Sequence, residues 1–303
     1  MRRRRQGRHI APRAAVIPWL RLNSSRAALV AVLVVGAGCA PSLATMQPAH
    51  VAPKGHFQAT AAIEIGAPTG TIIKVIHTGE TLSNDVRNAM MITPAQEVQI
   101  FEAGVNVAAS PPSVGYHIAL AYTVLDNWEI GLRNAAGGWR LGSRYQFLHH
   151  ETGPLDLTLG AGIARAATKI PLGDYIPILE MDDFTRYTGD VSLQIGTSRS
   201  FYRVWGGPKL VYSKFDTAMR LAIPGAPTPD LASFSGHGIY YGGVGGIAVG
   251  YRHVFLALEL TIYELSGSAD VTSVMTAATE QVARNADISG LVFYPTFGLM
   301  GEF

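Results

Sequence analysis

From about residue 55 onward the chain returns repeatedly to an alternation of period two. In "LDLTLGAGIA", Leu155, Leu157, Leu159, Ala161 and Ile163 share one face, and Asp156, Thr158, Gly160, Gly162 and Ala164 the other. "VFLALELTIY" sets Val254, Leu256, Leu258, Leu260 and Ile262 against Phe255, Ala257, Glu259, Thr261 and Tyr263. "GYHIALAYTV" sets Tyr116, Ile118, Leu120, Tyr122 and Val124 against His117, Ala119, Ala121 and Thr123. "WEIGLR" and "WRLGSRYQF" place Glu129, Arg133, Arg140, Arg144 and Gln146 on the polar side. Ten segments of this kind are predicted as strands: 55–66, 113–126, 127–136, 138–149, 153–168, 187–199, 200–213, 238–251, 252–264 and 289–303.

Segment length sets the class. Strands of soluble domains average about five or six residues. These run to about ten or more, the length of a tilted membrane-spanning strand. The polar face is small and glycine-rich with few charges, which suits a narrow lumen better than a surface open to water. Connections alternate between tight ("LDN", "HHETG", "SRS", "YRH") and long (67–112, 169–186, 214–237, 265–288), apart from the short "AAGG" of 135–138. Short periplasmic turns alternate with longer extracellular loops in the same way. The expected fold is all-β, a closed antiparallel transmembrane β-barrel of about ten strands with a short helical insertion after the first.

That insertion is residues 67–112. In "TPAQEVQIFEAGVNVAAS", Thr93 suits an N-cap, Pro94 the first helical position, and Gln96 a capping-box partner. Val98, Phe101, Val105 and Ala108 recur at helical spacing. "TLSNDVRNAMM" suggests a shorter helix before it with Ser83 as cap, and "SPPS" stops the second. The expectation is a helical cap over the outer mouth, with a plug as the alternative.

The front of the chain changes the picture. Eight arginines and no acid precede "AALVAVLVV", and small residues follow in "GAGCAPS". This is the layout of a bacterial export signal, and the apolar run is shorter than the roughly 20 residues of a spanning helix. Removing those eight arginines from 24 basic residues leaves 16 against 22 acidic ones, a net charge near −6 rather than +2. A nucleic-acid partner loses its electrostatic basis. Cys39 is the only cysteine, so an intrachain disulfide is excluded.

The placement of Cys39 directly after the signal resembles the lipobox of bacterial lipoproteins. That resemblance implies lipidation at Cys39, and Ala40 in place of Asp implies delivery to the outer membrane. Cleavage between Ala44 and Thr45, after "SLA", is the alternative. The expected division is 1–38 as removed signal, 39–54 as a periplasmic linker, and 55–303 as barrel.

The last residues, "LVFYPTFGLMGEF", read as a closing strand paired with "HFQATAAIEIG", because an unpaired edge in lipid leaves backbone groups unsatisfied. With the export signal, the ten segments and the terminal Phe303, the mature chain resembles Gram-negative outer-membrane barrels. The resemblance implies a place in the cell outer membrane, contact with its lipids, and recognition of Phe303 by the barrel-insertion machinery. Trp128, Trp139, Tyr122, Tyr145, Phe147, Tyr187, Phe201, Tyr202 and Tyr251 fall near segment ends, where aromatic girdles sit.

Candidate chemistry lies on the inward face. A hairpin turning at 136–137 puts Glu129 opposite Arg144 and Arg133 opposite Arg140. Glu64, Asp156, Arg203, Lys209, Glu259 and Glu302 point the same way. Buried charges need partners, so a structural lumen network is the primary reading and a polar solute path the second. His117 is expected inward, His149 and His150 in a turn, and His237 at a loop end. His237 with Ser235 is the nearest approach to hydrolase chemistry, and a polar loop explains it as well. Glu180, Asp182 and Asp183 are an acidic loop, and "GGVGG" at 242–246 lies in a strand with no helix after it, which excludes a phosphate loop. No catalytic residue, metal site or cofactor is predicted. The expected role is a non-enzymatic envelope protein, structural or recognition-bearing, with a narrow channel as the alternative.

Overall fold

The computed structural model describes residues 41–73, 105–106, 109–149, 154–168, 179–181, 184–221, 230–273 and 282–303. In chain order the strands are β1 (Phe57–Gly66), β2 (Ser113–Leu125), β3 (Trp128–Ala135), β4 (Gly138–Leu148), β5 (Asp156–Thr168), β6 (Leu179–Met181), β7 (Phe184–Ser198), β8 (Tyr202–Leu221), β9 (Asp230–Tyr251), β10 (Val254–Ser273) and β11 (Val282–Glu302). Every pairing is antiparallel and joins neighbours along the chain, except the closing β1–β11 pair and three-residue β6, which takes up the edge of β8 beyond the start of β7. The β1–β11 ladder closes the ring, with Gln58 facing Glu302 and Ile63 facing Phe297. Phe57 and Phe303 exchange backbone hydrogen bonds of 2.8 and 2.9 Å at the seam. The result is a closed ten-stranded barrel, in which no edge is left in lipid.

The short turns and both barrel termini lie at one end, and the long connections lie at the other. The β3–β4 hairpin is the exception, turning tightly at that second end through Ala136 and Gly137. Their φ values of 49° and 71° are those of a two-residue hairpin turn with both central residues left-handed. The wall is therefore low at β3 and β4, with 8 and 11 residues, and tall at β8 to β11, with 20, 22, 20 and 21. A tilted strand needs only about 9–11 residues to cross the hydrocarbon.

The tall strands reverse their polarity partway up. Along β10, Val254, Leu256, Leu258, Leu260 and Ile262 face outward and exposed; the outward positions then become Glu264, Ser266 and Asp270. The inward positions change the other way, from Glu259 and Thr261 to Tyr263, Leu265 and Ala269. On β11 the outward Phe297 and Leu291 give way to Ser289, Asp287 and Asn285, while Ile288 and Ala286 turn in. On β8 the outward change comes at Lys214 and Asp216, with Phe215 inside. Below these positions the outside is lipid-like and the inside charged. Above them the outside is polar and the inside is a packed core of Phe184, Phe215, Phe234, Tyr240, Tyr263, Leu265 and Ile288. A strand in lipid and a strand in water have opposite inside–outside rules, so this reversal marks the outer surface of the bilayer.

The sequence-based ends of the last four strands, 213, 238, 264 and 289, fall at this boundary. The continuations 214–221, 230–237, 265–273 and 282–288, read from sequence as loop, are strand. The inserted region supplies part of the upper core: Val105 and Ala109 are buried in it and helical, and the Ala109 carbonyl accepts from Tyr240 Oη at 2.9 Å and Arg186 at 2.8 Å. Residues 69–73 are also helical, where no helix is predicted. The remainder of the predicted helical hairpin, 74–104 and 107–108, lies outside the described residues.

Candidate functional site

The lower lumen is charged and full. Glu129 and Arg144, opposite one another on β3 and β4, pair at 2.6 Å. Arg133 and Arg140 also stand opposite, two cations in register. Arg140 turns to Asp190 on β7, which takes it with both carboxylate oxygens at 2.7 Å. Such a fork is the strongest geometry available to a guanidinium. Arg203 pairs with Glu302 at 2.8 Å and stacks on Phe255. His117 bonds Glu64 at 2.5 Å, and Asp156 accepts from Gln146 at 2.8 Å. Asp190 is absent from the sequence-derived set, although "YTGDVSLQ" alternates and places it inward with Ser192 and Gln194.

Arg133, Lys209 and Glu259 differ from the rest. Among the described residues none of them has an oppositely charged side chain at ion-pair distance. Their partners come from the chain that precedes the barrel. Glu259 accepts the backbone N–H groups of Thr45 at 2.5 Å and Met46 at 2.8 Å, with the Trp205 indole as a third donor at 3.0 Å. Two consecutive N–H groups converge on one carboxylate because Met46 is left-handed, at φ 46°, and such a turn forms a small anion-binding nest. Lys209 donates to the carbonyl of Leu43 at 2.9 Å. Arg133 donates to the carbonyls of Ala44 at 2.5 Å and Ser42 at 3.3 Å.

Residues 41–52 thus run down the inside of the barrel. Ser42 hydroxyl bonds Glu64; Thr60 reaches the Met46 carbonyl, Arg144 the Pro48 carbonyl at 2.7 Å, and Thr158 the Ala49 carbonyl; Gln146 accepts the Val51 N–H at 2.6 Å. Leu43, Ala44, Met46 and Ala49 are among the most buried residues of the protein. This corrects the expected placement of the stretch as a linker outside the barrel. "PSLATMQPAHVA" has the proline and small residues of a linker and no strand alternation. Its place is set by side chains on β1, β3, β4, β5, β8 and β10, which no local reading brings together.

At the short-turn end the segment is fastened by His50. Its Nε2 meets Glu302 at 2.8 Å and its Nδ1 meets Ser198 Oγ at 2.7 Å. With the proton on Nε2, the ring donates to the carboxylate and accepts from the hydroxyl. Serine, imidazole and carboxylate stand in the order that nucleophilic catalysis uses. Here the imidazole belongs to the lumen segment, and the carboxylate is shared with Arg203. A cavity of about 550 Å³ opens below them, lined by Lys54, Asp126, Asn127, His149, Arg199 and Ser200 among others. The three residues sit on the segment, the end of β7 and the end of β11, so no sequence spacing links them.

The other sequence candidates lie apart. His237 is within β9 rather than at a loop end, exposed on the outer wall beside Tyr212, and Ser235 on the same face donates to Asp216. Glu180 lies in β6; Asp182, Asp183, His150 and Cys39 lie outside the described residues. The glycines of 242–246 are in β9, where Gly246 leaves room for the Trp205 indole in the lumen. Among the described residues no group of three or more His, Cys, Asp or Glu is placed to hold a metal ion.

A closed ring of strands, apolar toward lipid over one bilayer's height and charged within, is a transmembrane β-barrel of the outer-membrane class. No protein-family model matches the chain, and no curated protein does. Similar solved structures are the outer membrane protein OprG from Pseudomonas aeruginosa, at 11% identity over 85% of this chain and 99% of that one, with TM-score 0.39; and a major outer membrane protein from Thermus thermophilus, at 9% identity over 81% and 99%, with TM-score 0.37. Ail, the attachment invasion locus protein of Yersinia pestis, overlaps at 10% identity over 82% and 99%, with TM-score 0.25. Overlaps this loose add nothing to what the barrel's own geometry establishes.

Proposed function

We propose that this protein is a non-enzymatic envelope protein whose barrel is shut by its own residues 41–52 and whose tall β8–β11 wall carries recognition on the cell surface. The observation that carries the reading is the occupied lumen: segment backbone and buried charges fill the lower half, and an aromatic core fills the upper half. Among the described residues, a water-sized space of about 20 Å³ remains between Arg133, Arg140, Asp190 and Lys209. The polar outward face above Glu264 and Lys214 suits a structure standing in water beyond the lipid. In planar bilayers the full mature chain is expected to show no single-channel conductance. Steady conductance steps from the unmodified protein would refute the reading. A narrow solute path is the second reading, favoured by Arg133, Lys209 and Glu259, whose partners would leave with the segment. It predicts conductance only after residues 41–52 are removed.

A further inference from the structure

We infer that the lower lumen is a binding tunnel for a polypeptide main chain, able to take a separate peptide of small residues in the place that residues 41–52 fill. The inference rests on the reading of that segment as the barrel's own plug. Its basis is what the wall recognises. Glu259 and Gln146 accept backbone N–H groups, while Lys209, Arg133, Arg144 and Thr158 donate to backbone carbonyls. Main-chain groups are common to every peptide, so these contacts fix direction and register, and side-chain contacts are added at the two ends by the Ser42 hydroxyl on Glu64 and the His50 ring between Ser198 and Glu302. The side chains between them are short or flexible, chiefly Leu43, Ala44, Met46 and Ala49, and all four are buried. Ala49 lies against Gly196, where a Cβ would stand 3.0 Å from that of Ala49, and nearer still to the Val204 carbonyl of the neighbouring strand. Charge points the same way. Lys209 and Glu259 are buried, and neither they nor the half-buried Arg133 has an oppositely charged side chain at ion-pair distance among the described residues, a costly arrangement unless a chain carrying both donors and acceptors lies between them. The ligand class is therefore a short peptide of small, uncharged side chains that can turn at the position of Met46, with its backbone as the main recognised feature.

The test separates plug from barrel without deleting either. Pro53, Lys54 and Gly55 are exposed between the segment and β1. A site for a specific protease inserted after Lys54 in the full mature chain allows one cut and leaves the segment held non-covalently. A fluorescent synthetic peptide of residues 41–52, in excess, is then expected to be captured saturably by cut protein in lipid vesicles and not by uncut protein. The same peptide with Leu43→Val and Ala44→Ser should be captured to within a few-fold. N-methylation at positions 45 and 46 removes both bonds to Glu259, each charge-assisted, and should weaken capture by at least about tenfold. Failure of the cut protein to capture the peptide overturns the inference, as does equal capture of the N-methylated one. Conductance of uncut protein, which decides the sealed-barrel reading, is measured separately and does not enter this comparison.

Discussion

The carboxylate of Glu259, at the level where β10 crosses the bilayer, lies 2.8 Å from the backbone nitrogen of Met46, a residue more than two hundred positions earlier in the chain. Glu259 is completely buried, and its three hydrogen bonds are from Thr45, Met46 and Trp205. Glu259→Gln keeps the shape but turns one acceptor oxygen into an amide nitrogen that faces an N–H. The variant is expected to lose about 1–3 kcal/mol of stability, read from the urea midpoint in lipid vesicles, where an unchanged midpoint would count against the contact.

Glu129→Ala leaves Arg144 buried without its carboxylate. Removing one member of such a pair costs about 3–5 kcal/mol, whereas replacing both by apolar residues costs much less. Unfolding of Glu129→Ala should therefore shift strongly. The double variant Glu129→Ala with Arg144→Met should recover most of the loss, and failure to recover would show that Arg144 is held mainly by the Pro48 carbonyl.

The reversal of polarity along β10 makes a positional prediction. Leu258 faces outward below the boundary and Ser268 lies above it. Leu258→Arg is expected to cost about 2–4 kcal/mol, as cations do at the bilayer midplane. Ser268→Arg, outward and half-exposed in water, should change stability by about 0.5 kcal/mol or less, as surface substitutions do. Equal costs would mean that the bilayer boundary is misplaced.

Ser198, His50 and Glu302 form a chemical relay whose function is proposed here to be fastening. The protein is expected to resist labelling by an active-serine fluorophosphonate, and Ser198→Ala to lower stability by about 1 kcal/mol through the lost hydrogen bond. Labelling that disappears in Ser198→Ala would instead establish a reactive serine.

Lipidation at Cys39 is likewise a proposal. Cells fed radioactive palmitate should label the wild-type protein and leave Cys39→Ser unlabelled. Label retained by the variant would point to attachment elsewhere, and its absence from both to cleavage at Ala44.

The sequence by itself determined the barrel. Ten runs of period-two alternation locate the membrane-spanning strands, and the run at 252–264 stops where β10 leaves the lipid, because the signal read was apolar side chains facing outward. It could not report the outer continuation of β8 to β11. In "SFSGHGIYYG" and "LSGSADVTS" the apolar positions move to the inner face, so a periodicity tuned to lipid loses its phase there. Hairpin neighbours were also legible: Glu129 opposite Arg144 needs only a turn at 136–137. What only the tertiary structure decided is what fills the lumen. Lys209 meeting Leu43, Glu259 meeting Met46, and His50 meeting both Ser198 and Glu302 each join points far apart in the chain. Closure of the ring fixes those distances, since a strand's alternation says which way a side chain points but not what stands across an enclosed space from it.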